Sequence, residues 1–95
     1  MATEYYEAQT ERDYFAALQR RINDGSIWQF EGSAGRAAMD AIENGQCLLG
    51  REGHRDYWGN YVPSRTQVKR GTKGSTGYAC TLQGQSYARW IGRIK

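Results

Sequence analysis

The chain contains one histidine, His54, and two cysteines, Cys47 and Cys80, so any nucleophile and base pair must be built around that single imidazole. His54 lies in the polar run Arg51-Glu52-Gly53-His54-Arg55-Asp56, where a solvated loop side chain is expected, not an acid–base catalyst. Metal binding fails on donor count, because one His and two widely separated Cys match no zinc-site spacing. Neither cysteine has the basic neighbours or helix N-terminus that lower a thiol pKa, so both read as small buried hydrophobes on inward strand positions. No catalytic residue, metal or cofactor is assigned.

Two glycine-containing segments bear on phosphate chemistry. Gly71-Thr72-Lys73-Gly74-Ser75-Thr76-Gly77 has the residues of a P-loop in the wrong order, since Lys must follow the second Gly at the start of a helix. Its composition does suit phosphate contacts, with Arg65, Lys69, Arg70 and Lys73 as charges and Ser64, Thr66, Thr72, Ser75 and Thr76 as donors. A flexible solvated loop over about 64–77 accounts for the same residues. The other segment, Gln29-Phe30-Glu31-Gly32-Ser33-Ala34-Gly35-Arg36, resembles the Gln-x-x-Gly-x-Ala turn of the acetyltransferases, which implies acyl-CoA binding. That family places several strands before the turn. Only the strand leading into the turn is signalled here, and Gly32-Ser33 reads as its stop and a helix cap.

Charge is the stronger signal. The net charge of +3 hides an acid-free stretch, residues 64–95, that carries Arg65, Lys69, Arg70, Lys73, Arg89, Arg93 and Lys95, whereas all ten acids precede it. A one-signed patch concentrates polyanions and supplies phosphate contacts driven by counterion release. The competing reading is the outward face of a sheet, balanced by an acidic N-terminal helix.

Aromatic residues supply the remaining chemistry. With 4 Leu, 5 Ile, 2 Val and 2 Phe, the 95-residue chain is poor in aliphatics, and 3 Trp and 7 Tyr must help to build the core. Tyr57, Trp58, Tyr61, Tyr78, Tyr87 and Trp90 interleave with Arg89 and Arg93, as in a stacking platform beside cations. Trp58, Tyr78 and Trp90 are expected to fill the core. Tyr87, sharing a face with Arg89 and Arg93, is the expected exposed ring.

The elements that must position these groups follow from periodicity. Thr10 as cap, acids in the first turn and Tyr14, Phe15, Leu18 and Ile22 in a helical stripe predict a helix over 10–23. Ile27, Trp28 and Phe30 predict a strand over 26–31, and Ser33 opens an alanine-rich helix ending near Glu43 with Asn44-Gly45 as its stop. Segments 46–50 and 57–62 predict a hairpin, and alternation over 77–82 and 86–94 predicts another. No internal repeat is evident. The expected fold is a single α+β domain over 1–95, with two helices on one face of a mostly antiparallel sheet of about five strands, in the order α-β-α-β-β-β-β.

No stretch approaches the roughly 18–20 apolar residues of a membrane span, and Met1 to Glu7 has no signal-peptide character. A cytoplasmic protein with reduced thiols is therefore expected. The function expected is a small, non-enzymatic, stoichiometric binding protein whose basic C-terminal third contacts nucleic acid or a nucleic-acid-containing complex. Arg65, Lys69, Arg70, Lys73, Arg89 and Arg93 would meet phosphates, and Tyr87 would stack. The alternative is a protein-binding inhibitor or adaptor of phage or mobile-element type, such as an anti-defence protein, using the surplus tyrosines and the acidic helix. A minimal acyl-CoA-dependent transferase is a remote third.

Overall fold

Helix α1, Glu11–Asn23, forms where the apolar stripe predicts it, with Glu11 and Asp13 in its first turn and Arg20 and Arg21 in its last. That order of charge complements the helix dipole. Leu18 and Ile22 are buried while Tyr14 and Phe15 pack at the edge of the core. A computed structural model describes residues 11–29 and 32–95. The cap at Thr10, the segment before it, and Phe30 and Glu31 lie outside the described residues.

The expected five-strand sheet does not form. Among the described residues the chain builds four α-helices and a single two-stranded antiparallel sheet. The first departure is at Ser26–Gln29, a 3-10 turn instead of a strand. The Asp24 carboxylate accepts from the Ser26 N–H at 2.8 Å, and the Trp28 N–H donates to the Gly25 carbonyl at 3.2 Å, coiling the chain tightly. Ile27 and Trp28 are thereby turned into the core.

Helix α2, Ser33–Glu43, presents Ala38, Ala41 and Ile42 inward, so its axis approaches its neighbours closely. It ends in a Schellman motif, with the Gly45 N–H donating to Ile42 O at 3.1 Å and the Gln46 N–H to Ala41 O at 2.8 Å. Tyr78, Gln83 and Tyr87 donate to the carbonyls of Glu43, Asn44 and Gln46 and tie the C-terminal helices to this end.

Residues 47–49 are buried as expected of a strand, but no strand pairs with them. Side chains and loops answer their backbone groups one by one. Gln19 pairs with both polar groups of Leu48, Leu49 N–H donates to Gly74 O, and Arg65 Nε donates to Leu49 O at 2.8 Å. The sheet is instead β1, His54–Arg55, with β2, Tyr61–Val62, in the register His54 to Val62 and Arg55 to Tyr61.

The predicted C-terminal hairpin is two helices, α3 over Thr76–Gln83 and α4 over Gln85–Arg93. Ser75 caps α3 by accepting from the Tyr78 N–H at 3.3 Å. Gly84, at φ +93°, ends α3 and starts α4, a conformation that costs an L side chain dearly. The alternation over 86–94 is outweighed by a helical stripe, Tyr87, Ala88, Trp90, Ile91 and Ile94, that faces the core. Cys80 therefore sits half-buried on a helix, and Cys47 is fully buried in the bend that follows α2, its N–H donating to Ala41 O at 3.2 Å.

A repeat does exist. Residues 32–37 and 74–79 both read Gly-Ser-x-Gly-x-Ala, and each copy opens a helix.

Candidate functional site

The β1–β2 hairpin is built around Asp56. Its carboxylate accepts from the N–H groups of Trp58 at 2.9 Å and Asn60 at 2.8 Å, and its own N–H donates to Asn60 O at 2.9 Å. Arg55 braces the same turn, donating to Gly59 O at 3.0 Å and lying over the Tyr61 ring at 5.6 Å. The hairpin is moored to the 3-10 turn by Tyr57 N–H on Trp28 O at 2.7 Å and by Gln29 Nε2 on Arg55 O at 2.6 Å. A firmly held hairpin therefore holds its rings outward. Tyr57 is 54% exposed, Trp58 66% and Tyr61 51%. Tyr57 and Trp58 meet edge to face at 4.9 Å, which leaves indole surface uncovered.

These rings line a concavity of about 490 Å³. Gly35, Arg36 and Met39 of α2 line the same concavity, as do Val68 and Lys73. The lining is chiefly apolar and includes the cations Arg36 and Lys73 together with the turn carboxylate Asp56. Arg36 has no ion-pair partner among the described residues, whereas Lys73 meets Glu43 at 3.1 Å on the open surface. Lys69 and Arg70, both exposed, lie in the turns between Val68 and Lys73.

The residues expected to bind separate into three groups. Lys69, Arg70 and Lys73 are exposed, and of the three Lys73 lines the concavity, with Lys69 and Arg70 in the segment between it and Val68. Arg89 and Arg93 are exposed four residues apart on α4, no residue of which lines it. Arg65 and Tyr87 are committed internally. The Arg65 guanidinium is half-buried and donates to Leu49 O, to Gly92 O at 3.2 Å and to Asn23 Oδ1 at 3.3 Å. Burial, and secondarily the nearby Arg51 charge, lowers its pKa. Tyr87, expected to be exposed, is half-buried. Its hydroxyl donates to Gln46 O at 2.7 Å, and Arg12 covers its ring at 5.4 Å. Burial is the main cause that raises its pKa.

Trp58, expected in the core, is the most exposed of the large hydrophobic side chains among the described residues. His54, expected in solvent, is half-buried, with Nε2 3.2 Å from Asn23 O. The hydroxyl donors of 64–76 serve mostly local structure. Ser64 and Thr66 bond each other, Thr72 donates to Lys69 O, and Ser75 donates to Thr72 O. The Gly71–Gly77 segment runs into a helix after all, yet Lys73 still precedes Gly74 and the P-loop order is not restored.

Arg36 and Gly35 are the site residues that sequence reasoning misses. A cation one position after the second Gly of the Gly-Ser-x-Gly turn was the available signal. Among the described residues no group of three or more His, Cys, Asp or Glu is placed to hold a metal, and no helix is long and apolar enough to cross a membrane. No protein family, characterised protein or solved structure matches the chain.

Proposed function

We propose that the protein is a stoichiometric nucleic-acid-binding protein that uses the hairpin rings and the adjoining cations as one surface. The observation that carries this reading is the juxtaposition of Tyr57, Trp58 and Tyr61, each at least half exposed, with Arg36 and Lys73 around one concavity. Aromatic rings give sequence-tolerant stacking of about 1–3 kcal/mol per base, and the cations give affinity by counterion release. Lys69 and Arg70 extend the charge along the same segment. The Lys73–Glu43 pair, with both side chains more than half exposed, opposes phosphate binding only weakly.

Binding to single- and double-stranded DNA and RNA measured between about 50 and 200 mM salt tests the proposal. Four or more phosphate contacts predict a loss of affinity over that range of roughly fiftyfold or more on single strands and a hundredfold or more on duplex. Reversal of charge at Lys69 and Arg70 together should abolish binding at physiological salt and leave the melting temperature unchanged. Absence of binding at the lowest salt refutes the reading. The second reading, a protein-docking surface, is favoured by the exposed Met39 beside the same rings, a composition found at interface hot spots.

A further inference from the structure

Gly35 lies in the first turn of α2, adopts no positive φ, and a Cβ built on it meets no described residue within 4 Å, so among the described residues nothing requires glycine there. Glycine weakens a helix relative to alanine, so the residue carries a cost that packing among the described residues does not repay. The bare backbone it leaves lines the same concavity as the hairpin rings. Close approach of a ligand to backbone is the remaining use of such a glycine.

The concavity, about 490 Å³, falls within the range of small-molecule pockets and is mostly apolar. A duplex offers phosphates and groove edges to a surface and keeps its base faces stacked, so it would leave Trp58 and Tyr57 uncovered. An unpaired base has a free face for stacking and a charged backbone on both sides. Arg36 and Lys73 line the same concavity and match that charge, while the Asp56 carboxylate in the lining is engaged by the Trp58 and Asn60 N–H groups.

We infer that the concavity receives one unpaired base of a single strand, stacked on the hairpin rings and lying over Gly35, while Arg36 and Lys73 meet the flanking phosphates. This rests on the nucleic-acid reading above and narrows it to single-stranded polymer. Trp58 supplies the stacking face, and Gly35 sets how closely the α2 backbone approaches the base.

The test compares three probes on the intact protein at about 50 mM salt: a ten-residue oligothymidylate, an abasic oligomer of equal length and charge, and a duplex. The oligothymidylate should bind about tenfold or more tightly than the abasic oligomer and should quench Trp58 fluorescence. Trp58→Ala should remove that advantage. Gly35→Ala should keep the melting temperature or raise it by up to about 4 °C while weakening the oligothymidylate about tenfold. Equal binding of all three probes, or an oligothymidylate affinity untouched by both substitutions, overturns base insertion and leaves nucleic-acid binding standing. No binding of any probe overturns both readings.

Discussion

The carboxamide of Gln19 and the peptide groups of Leu48 close a two-bond ring. Nε2 donates to Leu48 O at 2.9 Å, and the Leu48 N–H donates to Oε1 at 2.7 Å, with both residues fully buried. Gln19 takes the place of a neighbouring strand for the segment that carries Cys47, Leu48 and Leu49. Its second Nε2 hydrogen reaches Asn23 Oδ1 at 2.9 Å, and Asn23 Nδ2 donates to Ile94 O at 2.7 Å. One buried amide thus links α1, the extended segment and the end of α4.

Gln19→Leu keeps the volume and removes both bonds, which leaves two buried backbone groups of Leu48 unsatisfied. Each such group costs about 1–3 kcal/mol, so a loss of roughly 2–6 kcal/mol is expected in urea denaturation. A shift below about 0.5 kcal/mol would show that the ring contributes nothing net.

Arg65 separates structural charge from binding charge. Its three acceptors are backbone and amide oxygens from the extended segment, α4 and α1, and Arg51 joins it at Gly92 O at 3.0 Å. Both guanidiniums sit where the α4 dipole is negative. Arg65→Met and Arg65→Lys should each destabilise by about 1–3 kcal/mol, the lysine because an ammonium cannot reproduce the guanidinium fork. Lys69→Ala and Arg70→Ala should change stability by less than about 0.5 kcal/mol and still weaken nucleic-acid binding. Equal stability effects at residues 65 and 69 would contradict this division.

The legible parts of the fold were those where one local signal had no rival. Helix α1 follows from its stripe and charge order and α2 from its alanines and the Asn44-Gly45 stop, although the N-cap of α2 is Gly32, not Ser33, and no side chain caps it. The sheet was misread because Tyr, Thr, Cys, Trp and Ile in 77–94 have strand propensity and alternate, while their helical spacing is equally good. The Gly-Ser-x-Gly turn that marks α2 recurs at 74–77 and marks α3 as well, so this error had a correcting signal in the sequence. Strand 46–50 had none. Burial there is satisfied by a glutamine 29 residues away, a long-range side-chain partner that no periodicity reveals. Of the candidate site, the cations Lys69, Arg70 and Lys73 were legible from charge. The exposure of Trp58 was not, because it depends on the Asp56 turn that swings the hairpin tip outward.

Gly25 and His54 make a second coupled pair. Gly25 has φ +81°, and a Cβ there would fall on the imidazole ring. Gly25→Ala therefore bears a backbone cost of about 1 kcal/mol or more and a steric cost that His54 imposes. In a His54→Ala background only the backbone cost should persist, so the double-mutant cycle should return a coupling of about 1 kcal/mol or more. Additive effects would mean that the ring moves aside freely and does not fix the hairpin against α1.

Cys47 predicts an alkaline weakness with a definite sign. Burial pushes its thiol from an ordinary 9.0 up to about 12, and Sγ lies 3.5 Å from Phe15 O. Between those values the unfolded chain has released the proton and the folded chain has kept it. The stabilisation is complete below pH 9 and is lost as pH rises toward 12, by at most about 1.4 kcal/mol per pH unit. Tyr87 adds a loss of the same sign at higher pH, so the wild-type curve alone does not isolate the thiol. Cys47→Ala does. The variant should be less stable than wild type near neutrality, by about 1 kcal/mol for the small cavity, and that gap should close and then reverse as pH rises above about 9. Parallel denaturation curves for the two proteins from pH 8 to about 11 would mean that the thiol ionises in the fold as readily as in the unfolded chain.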